Sequence, residues 1–523
     1  MFSPRLIVTL TAIAVICSSS CKNNNNKQPD KLGSIQFTVT GKEEAQASFK
    51  KGLLLLHSFE YEDAAEQFAE AISIDKNFIM AYWGQAMTYN HSLWRFQDNE
   101  KAKTVLNQLA ATPDERVAKA KTELEKDFIK AVNILYGPGT KAVRDSLYAD
   151  YMGMLHSKYA GNNEVTAFYS VALIGSVQVG RNTKVYELAA AMAKEVLKNN
   201  PNHPGALHYL IHAYDDPQHA ALALTTADKY SVIAPSAGHA LHMPTHIYLS
   251  LGMWDKVISS NINSWEASKN RKEIKKLSND ELGYHYYHWL MYGYLQKGEK
   301  EKAKNITDSM LRLCNELSSD RAREHMIYQK STYLVETNEY GNKLNDVEVK
   351  TNDLNIVTRA MNDYTDAMKS YHEKNANGLK EFTDKLGNEI LIDEERMNNT
   401  GIKLCGSINS NIPNQLDIQQ SQIMLVELKA MEARLKKNNA LTEKLLKQAV
   451  EMEKNVSYAF GPPTIVKPSF ELYGEWLLEM NRPKEALTQF NLSLTAAPGR
   501  LLSLTGKKNA EAMLSIAGKN ASL

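Results

Sequence analysis

A small packing residue followed at fixed distances by an aromatic and a second small residue recurs along this chain, and it restricts the fold more than any other feature. Gly52, Leu55, Ala64, Phe68 and Ala71 stand in that order, and Ala81 to Tyr89 opens the next unit. The nine-residue step returns in Tyr214 and Ala223, Tyr248 and Val257, Tyr294 and Ala303, and Leu477 and Ala486. Gly474, Leu477, Ala486, Phe490 and Pro498 repeat almost the whole pattern, and Pro201, Pro235 and Pro498 fall where one unit hands over to the next. Small residues let two antiparallel helices approach, the aromatic fills the space above them, and proline stops the second helix. A lone hairpin of this kind cannot bury its apolar face, whereas a stack can. The spacing therefore predicts an all-α solenoid, a superhelix of antiparallel helix pairs.

The skeleton resembles the tetratricopeptide (TPR) repeat. It fits less well over 98–165 and over 318–410, where a polar stretch from Asn398 to Gln415 carries Gly401, Gly406 and Pro413 and reads as a break. The expected organisation is repeats over 41–135, a central histidine-rich block over 136–317, an irregular helical region over 318–415 and C-terminal repeats over 416–523.

The N-terminus departs from this pattern. Arg5 precedes an apolar run from Leu6 to Cys17, too short for the roughly 20 helical residues a bilayer requires. Ser18, Ser19, Ser20 and Cys21 follow, then an asparagine-rich spacer to Lys27. This resembles a bacterial lipoprotein signal, which implies removal of residues 1–20, a lipid on Cys21 and a flexible tether over 21–40. The implied location is the bacterial cell envelope, on a membrane, facing the periplasm or the surface. Beyond Cys17 and Cys21 only Cys314 and Cys405 remain, no disulfide framework for a chain of 523 residues. Lys plus Arg number 61 against 60 Asp plus Glu, so no global field draws the protein to nucleic acid.

Of 14 histidines, nine lie between His203 and His288. His208 and His212 are four apart, as are His242 and His246, and the pairs are offset by 34 residues, one TPR period. At about 100° per residue, positions three before and one after the small packing residue share a stripe that lines the concave groove of such solenoids. With Ile211, Thr245 and Met291 as packing residues, that stripe holds His208 and His212, His242 and His246, then His288 and Tyr292. One position earlier on the stripe come His239 and His285. Asp215 and Asp216 lie about a turn beyond His212 and could ligate or orient imidazoles. Pro244 either kinks its helix or makes it start near Met243. His57, His91, His156, His325 and His372 read as structural.

The stretches HPGALHYLIHAYDDPQH (203–219), HALHMPTHIYLSLGM (239–253), AYWGQAMTYNHSLW (81–94) and GPPTIVKPSFELYGEWLL (461–478) resemble a group of large bacterial TPR proteins. That resemblance implies a shared histidine-bearing site and no particular activity. Two functions stand open. The favoured one is a membrane-anchored, non-enzymatic scaffold holding a peptide, protein or small ligand in its concave groove through His208, His212, His239, His242, His246, His285, His288 and Tyr292. The alternative is a divalent transition metal, zinc for instance, on His208, His212, His242, His246, Asp215 and Asp216, either structural or serving hydrolysis. HYLIH lacks the glutamate base of HExxH metallopeptidases, and no nucleotide-binding loop or nucleophile elbow is present.

Overall fold

The repeat grammar translates directly into packing. In a computed structural model, which describes residues 31–399 and 413–521, helices Glu43–His57 and Tyr61–Ile74 form the first hairpin and Ile79–Met87 begins the next. The Phe68 ring is wedged between Gly52 and Gly84: a Cβ on Gly52 would lie 3.0 Å from it, and one on Gly84 only 2.4 Å. Phe490 is held in the same way between Gly474 and Gly506 near the other end of the chain. Glycine sits at these positions because two helix backbones pass on either side of one aromatic ring.

The chain is thus an all-α, TPR-like solenoid. Successive hairpins include Asn163–Ser176 with Thr183–Asn199, Pro204–Ala213 with Leu224–Ile233, Tyr284–Gln296 with Lys300–Glu316, and Gln415–Leu435 with Asn439–Lys454. Among the described residues the only strand pairing is a two-residue bridge, Asn90–His91 against Phe96–Gln97. The region expected to be irregular contains regular helices, Asp320–Thr337, Ile356–His372 and Ala376–Asn399. The polar break falls mostly outside the described residues, as does Cys21, and the next helix starts at Gln415 with Asn414 as its cap. No helix among the described residues is long and apolar enough to cross a membrane.

Residues 31–40, expected to belong to a tether, are instead strapped to the body. Leu32, Ile35 and Val39 are buried. The Ser34 amide donates to the Asn202 carbonyl at 3.0 Å, and the Thr40 amide to Glu125 Oε1 at 2.5 Å. The alternation of Ile35, Phe37 and Val39 is the sequence signal of this extended strap.

Two apolar cores result, one built from residues between Leu32 and Val257 together with Trp289 and Tyr292, the other from residues between Leu282 and Ala510. The C-terminal hairpins fold back onto the middle of the solenoid. Trp254 Nε1 donates to the Gly499 carbonyl at 2.9 Å, and the Leu501 amide to Gln296 Oε1 at 2.8 Å. Fully buried Arg500 donates to Tyr292 Oη at 3.0 Å and pairs with Glu336 and Glu471. This closure carries the loop after Lys454 across the central repeats.

Candidate metal centre

Six of the histidines come together where four parts of the chain meet. Helix Pro204–Ala213 supplies His208 and His212, the short helix Gly238–His242 supplies His239 and His242, Pro244–Ser250 supplies His246, and Tyr284–Gln296 supplies His285. The helix of the central pair is broken at Met243, as Pro244 requires. The Thr245 hydroxyl donates to the His242 carbonyl at 2.7 Å, and the His246 amide donates to Met243 rather than one residue further back.

The ligand atoms fall into two histidine groups, His208 with His212 and His239, and His242 with His246 and His285, and a group of His212, Asp215 and His246 overlaps both. Within each group they lie within 4.8 Å of one another. The groups abut: the rings of His212 and His246 are 5.4 Å apart between centroids, and those of His239 and His242 6.1 Å. All but His285 are buried; His285 faces water on one side.

Hydrogen bonding fixes three of the tautomers. His208 Nδ1 lies 2.8 Å from the His57 carbonyl, which can only accept, so Nδ1 carries the proton. Asn261 Nδ2 donates to the Val257 carbonyl at 2.9 Å, which turns its Oδ1 toward His242 Nδ1 at 2.7 Å and makes that nitrogen a donor as well. His246 Nδ1 donates to the Asp215 carboxylate. Each of these rings therefore carries its lone pair on Nε2. Nε2 of His208, His239 and His242 and both ring nitrogens of His212 are buried without a hydrogen-bond partner. An unpaired buried polar group costs about 1–3 kcal/mol, so this concentration of them is expensive unless something binds there. Outer nitrogens bonded to a carbonyl, an amide and a carboxylate, with inner nitrogens left bare, form the arrangement that orients imidazoles toward a metal ion.

The surroundings keep the rings uncharged. Burial pushes the His208 imidazolium down to about 3. Burial first, and then the neighbouring histidines, hold His212, His239 and His242 well below the ordinary histidine range. Aromatic side chains wall the cluster. Phe59, at a left-handed φ of 58°, lays its ring 4.2 Å from that of His208. Trp289 is 4.5 Å from His246, Tyr286 4.7 Å from His242 and Trp94 5.6 Å from His239. Phe460, on the returning C-terminal loop, is 6.2 Å from His246, and the neighbouring Tyr458 hydroxyl meets Ser250 at 3.2 Å.

Four expected site residues lie elsewhere or act differently. His288 turns to Thr332 Oγ1 at 3.1 Å, and Tyr292 serves Arg500. On the same helix it is His285 and Trp289 that meet the cluster, their rings 4.8 Å and 4.9 Å from that of His242. Asp216 pairs with Arg181 and His219, away from the cluster. Asp215 acts through His246. Five of the six histidines are buried, and Phe460 of the C-terminal loop lies over His246. A separate group, His57, Glu164 and His203, is saturated: Glu164 accepts from His57 Nε2 at 2.8 Å and from His203 Nε2 at 3.1 Å, while His57 Nδ1 meets Tyr209 Oη at 2.9 Å. Burial pushes Glu164 up, but His203 and His57 outweigh it and hold the carboxyl at about 2. This group is structural, as expected for His57, and the His57 carbonyl also orients His208.

No family model matches the sequence, and no curated protein does. Solved structures overlay on most of the chain at low similarity. The APC/C Cut9–Hcn1 hetero-tetramer is 11% identical at a TM-score of 0.37, with 90% of this chain and 77% of that one covered. Yeast Tom70 is 12% identical at 0.31, covering 91% and 96%. The TPR domain of P58(IPK) is 12% identical at 0.20, covering 91% and 99%. At such scores the overlays carry nothing about function, and the fold assignment stands on the helices themselves.

Proposed function

We propose that this protein is a metalloprotein, a helical-repeat scaffold that encloses a histidine-ligated transition-metal centre. The observation that carries the reading is the set of bare, buried Nε2 atoms on His208, His212, His239 and His242, three of the surrounding rings being locked by outer hydrogen bonds. An all-imidazole donor set suits copper, zinc, nickel or iron and disfavours magnesium and calcium. The same burial argues against a peptide lying along a histidine-lined groove. Of the carboxylates beside the rings, Asp215 is engaged by His246 and Glu60 by the His239 backbone amide at 2.9 Å. In this reading a lipid on Cys21 tethers the protein to a bacterial membrane, and labelling with a radioactive fatty acid that is lost in Cys21→Ala tests that part.

The metal is tested by stripping the purified full-length chain with a chelator, equilibrating it with zinc(II) or copper(I), and counting bound metal by elemental mass spectrometry. The native chain is expected to retain metal and a His208→Ala, His242→Ala double variant to lose it. A native chain that retains neither ion overturns the reading.

A further inference from the structure

The six histidines do more than provide ligands: they offer two sets of three that share a border, and His212 and His246 also close with Asp215 across it. Each set places three imidazole nitrogens within 4.8 Å of one another, enough to hold one ion with a position left open. The ring contacts across the border, 5.4 Å for His212 with His246 and 6.1 Å for His239 with His242, make the two ions neighbours. Two-metal sites of this kind work at separations of about 3.5–4 Å and clamp a small ligand between the ions.

We propose that the two triads hold a pair of copper ions that binds dioxygen between them. The inference rests on the metal reading above and adds the number of ions, their identity and their ligand. The six imidazoles are neutral donors, so two copper(I) ions bring half the positive charge that two zinc(II) ions would bring into the same enclosed space. Imidazole sites also bind copper more tightly than the other divalent first-row metals. Phe59, Trp289 and Phe460 make the wall apolar, which suits an uncharged diatomic ligand. Each copper(I) gives one electron, dioxygen takes both and becomes peroxide, and two new copper–oxygen bonds bridge the pair. No bond within the protein breaks and no proton is consumed. In reverse the peroxide returns one electron to each copper(II), the two copper–oxygen bonds break, and dioxygen leaves.

The test is anaerobic loading of the chelator-stripped full-length chain with copper(I), metal counting, and then exposure to dioxygen. Two coppers per chain are expected, with an intense near-ultraviolet absorption on oxygenation and no electron paramagnetic resonance signal, because the two copper(II) spins are coupled. His285→Ala, at the one ligand that faces water, is chosen because it leaves the buried packing in place; circular dichroism confirms its fold. It is expected to lose the absorption band and to show the resonance of an uncoupled copper(II). One copper per chain, or two coppers that both give resonance signals on oxygenation, overturns the paired site and leaves the metal reading standing. Absence of bound copper and of zinc overturns both.

Discussion

His212 has both ring nitrogens buried without a partner, so it is the residue whose removal is expected to stabilise the metal-free protein. Two unpaired groups at about 1–3 kcal/mol each put the relief from His212→Leu at roughly 2–6 kcal/mol. Against this stand the lost ring contacts with His208 at 4.9 Å and His246 at 5.4 Å. Aromatic pairs of that kind contribute about 0.5–1.5 kcal/mol each. A net gain of about 2 kcal/mol follows, and a cooperative unit of about 200 residues then melts roughly 4–8 °C higher. Metal reverses the order. At a free concentration a hundredfold above Kd, an ion adds about 2.7 kcal/mol to the native chain and less to the variant, which has lost a ligand. The assay is a pair of thermal melts for each chain, one in chelator and one in excess copper(I) or zinc(II). If His212→Leu melts below the native chain in chelator, the bare nitrogens are not a stored cost and the argument from them fails.

The saturated group next door gives the opposite sign: His57→Leu leaves buried Glu164 with only His203, and a loss of about 3–5 kcal/mol is expected in the same melts. A loss under about 1 kcal/mol would show that the pair does not hold the first hairpin to helix Asn163–Ser176. Burial lowers His288 to about 3, so it stays neutral in the folded protein while the unfolded chain takes up a proton below about 6.5. Its contribution is complete above pH 6.5 and is lost as pH falls toward 3, at about 1.4 kcal/mol per unit. Melts of metal-free protein at pH 7 and pH 5 should therefore show a smaller acid loss for His288→Gln than for the native chain, and equal losses would refute the assignment. Gly84→Ala puts a methyl 2.4 Å from the Phe68 ring and is expected to cost about 1–3 kcal/mol. Gly387→Ala, whose nearest neighbour would be Leu425 at 3.8 Å, is expected to gain about 0.5–1 kcal/mol; denaturant midpoints of the two should move in opposite directions.

The parts of this structure that were legible in sequence are those set by contacts within one or two repeats. Gly52, Phe68, Gly474 and Phe490 define hairpin packing whatever the rest of the chain does, and the 34-residue offset of the histidine pairs follows from the same periodicity. Legibility ended where distant segments decide. Nothing near His246 foretells that Phe460 will cover it, because that depends on Arg500 docking against Glu336 and Tyr292. On helix Tyr284–Gln296 the cluster is met by His285 and Trp289, whereas His288 packs toward Thr332 and Tyr292 toward Arg500, partners far away in sequence. Asp215 and Asp216 are adjacent in sequence, and only the turn after Ala213 decides which one reaches a histidine of the cluster. The left-handed Phe59 carried no local signal, since no glycine or asparagine marks it.

The proline that made one helix ambiguous in sequence accounts for the division of the centre. On an unbroken helix His239, His242 and His246 would share one stripe, since steps of three and four residues return to nearly the same angle. A single stripe presents its imidazoles to one partner helix, and all three would face the same ion. Pro244 has no amide to donate to Ala240, and the Thr245 hydroxyl occupies the His242 carbonyl instead. Across Met243, whose backbone stays right-handed helical, His239 groups with His208 and His212 of the preceding repeat while His242 and His246 group with His285 of the following one. One repeat thus contributes to both triads, and the stacking that holds neighbouring hairpins together also sets the spacing between the two groups of ligands.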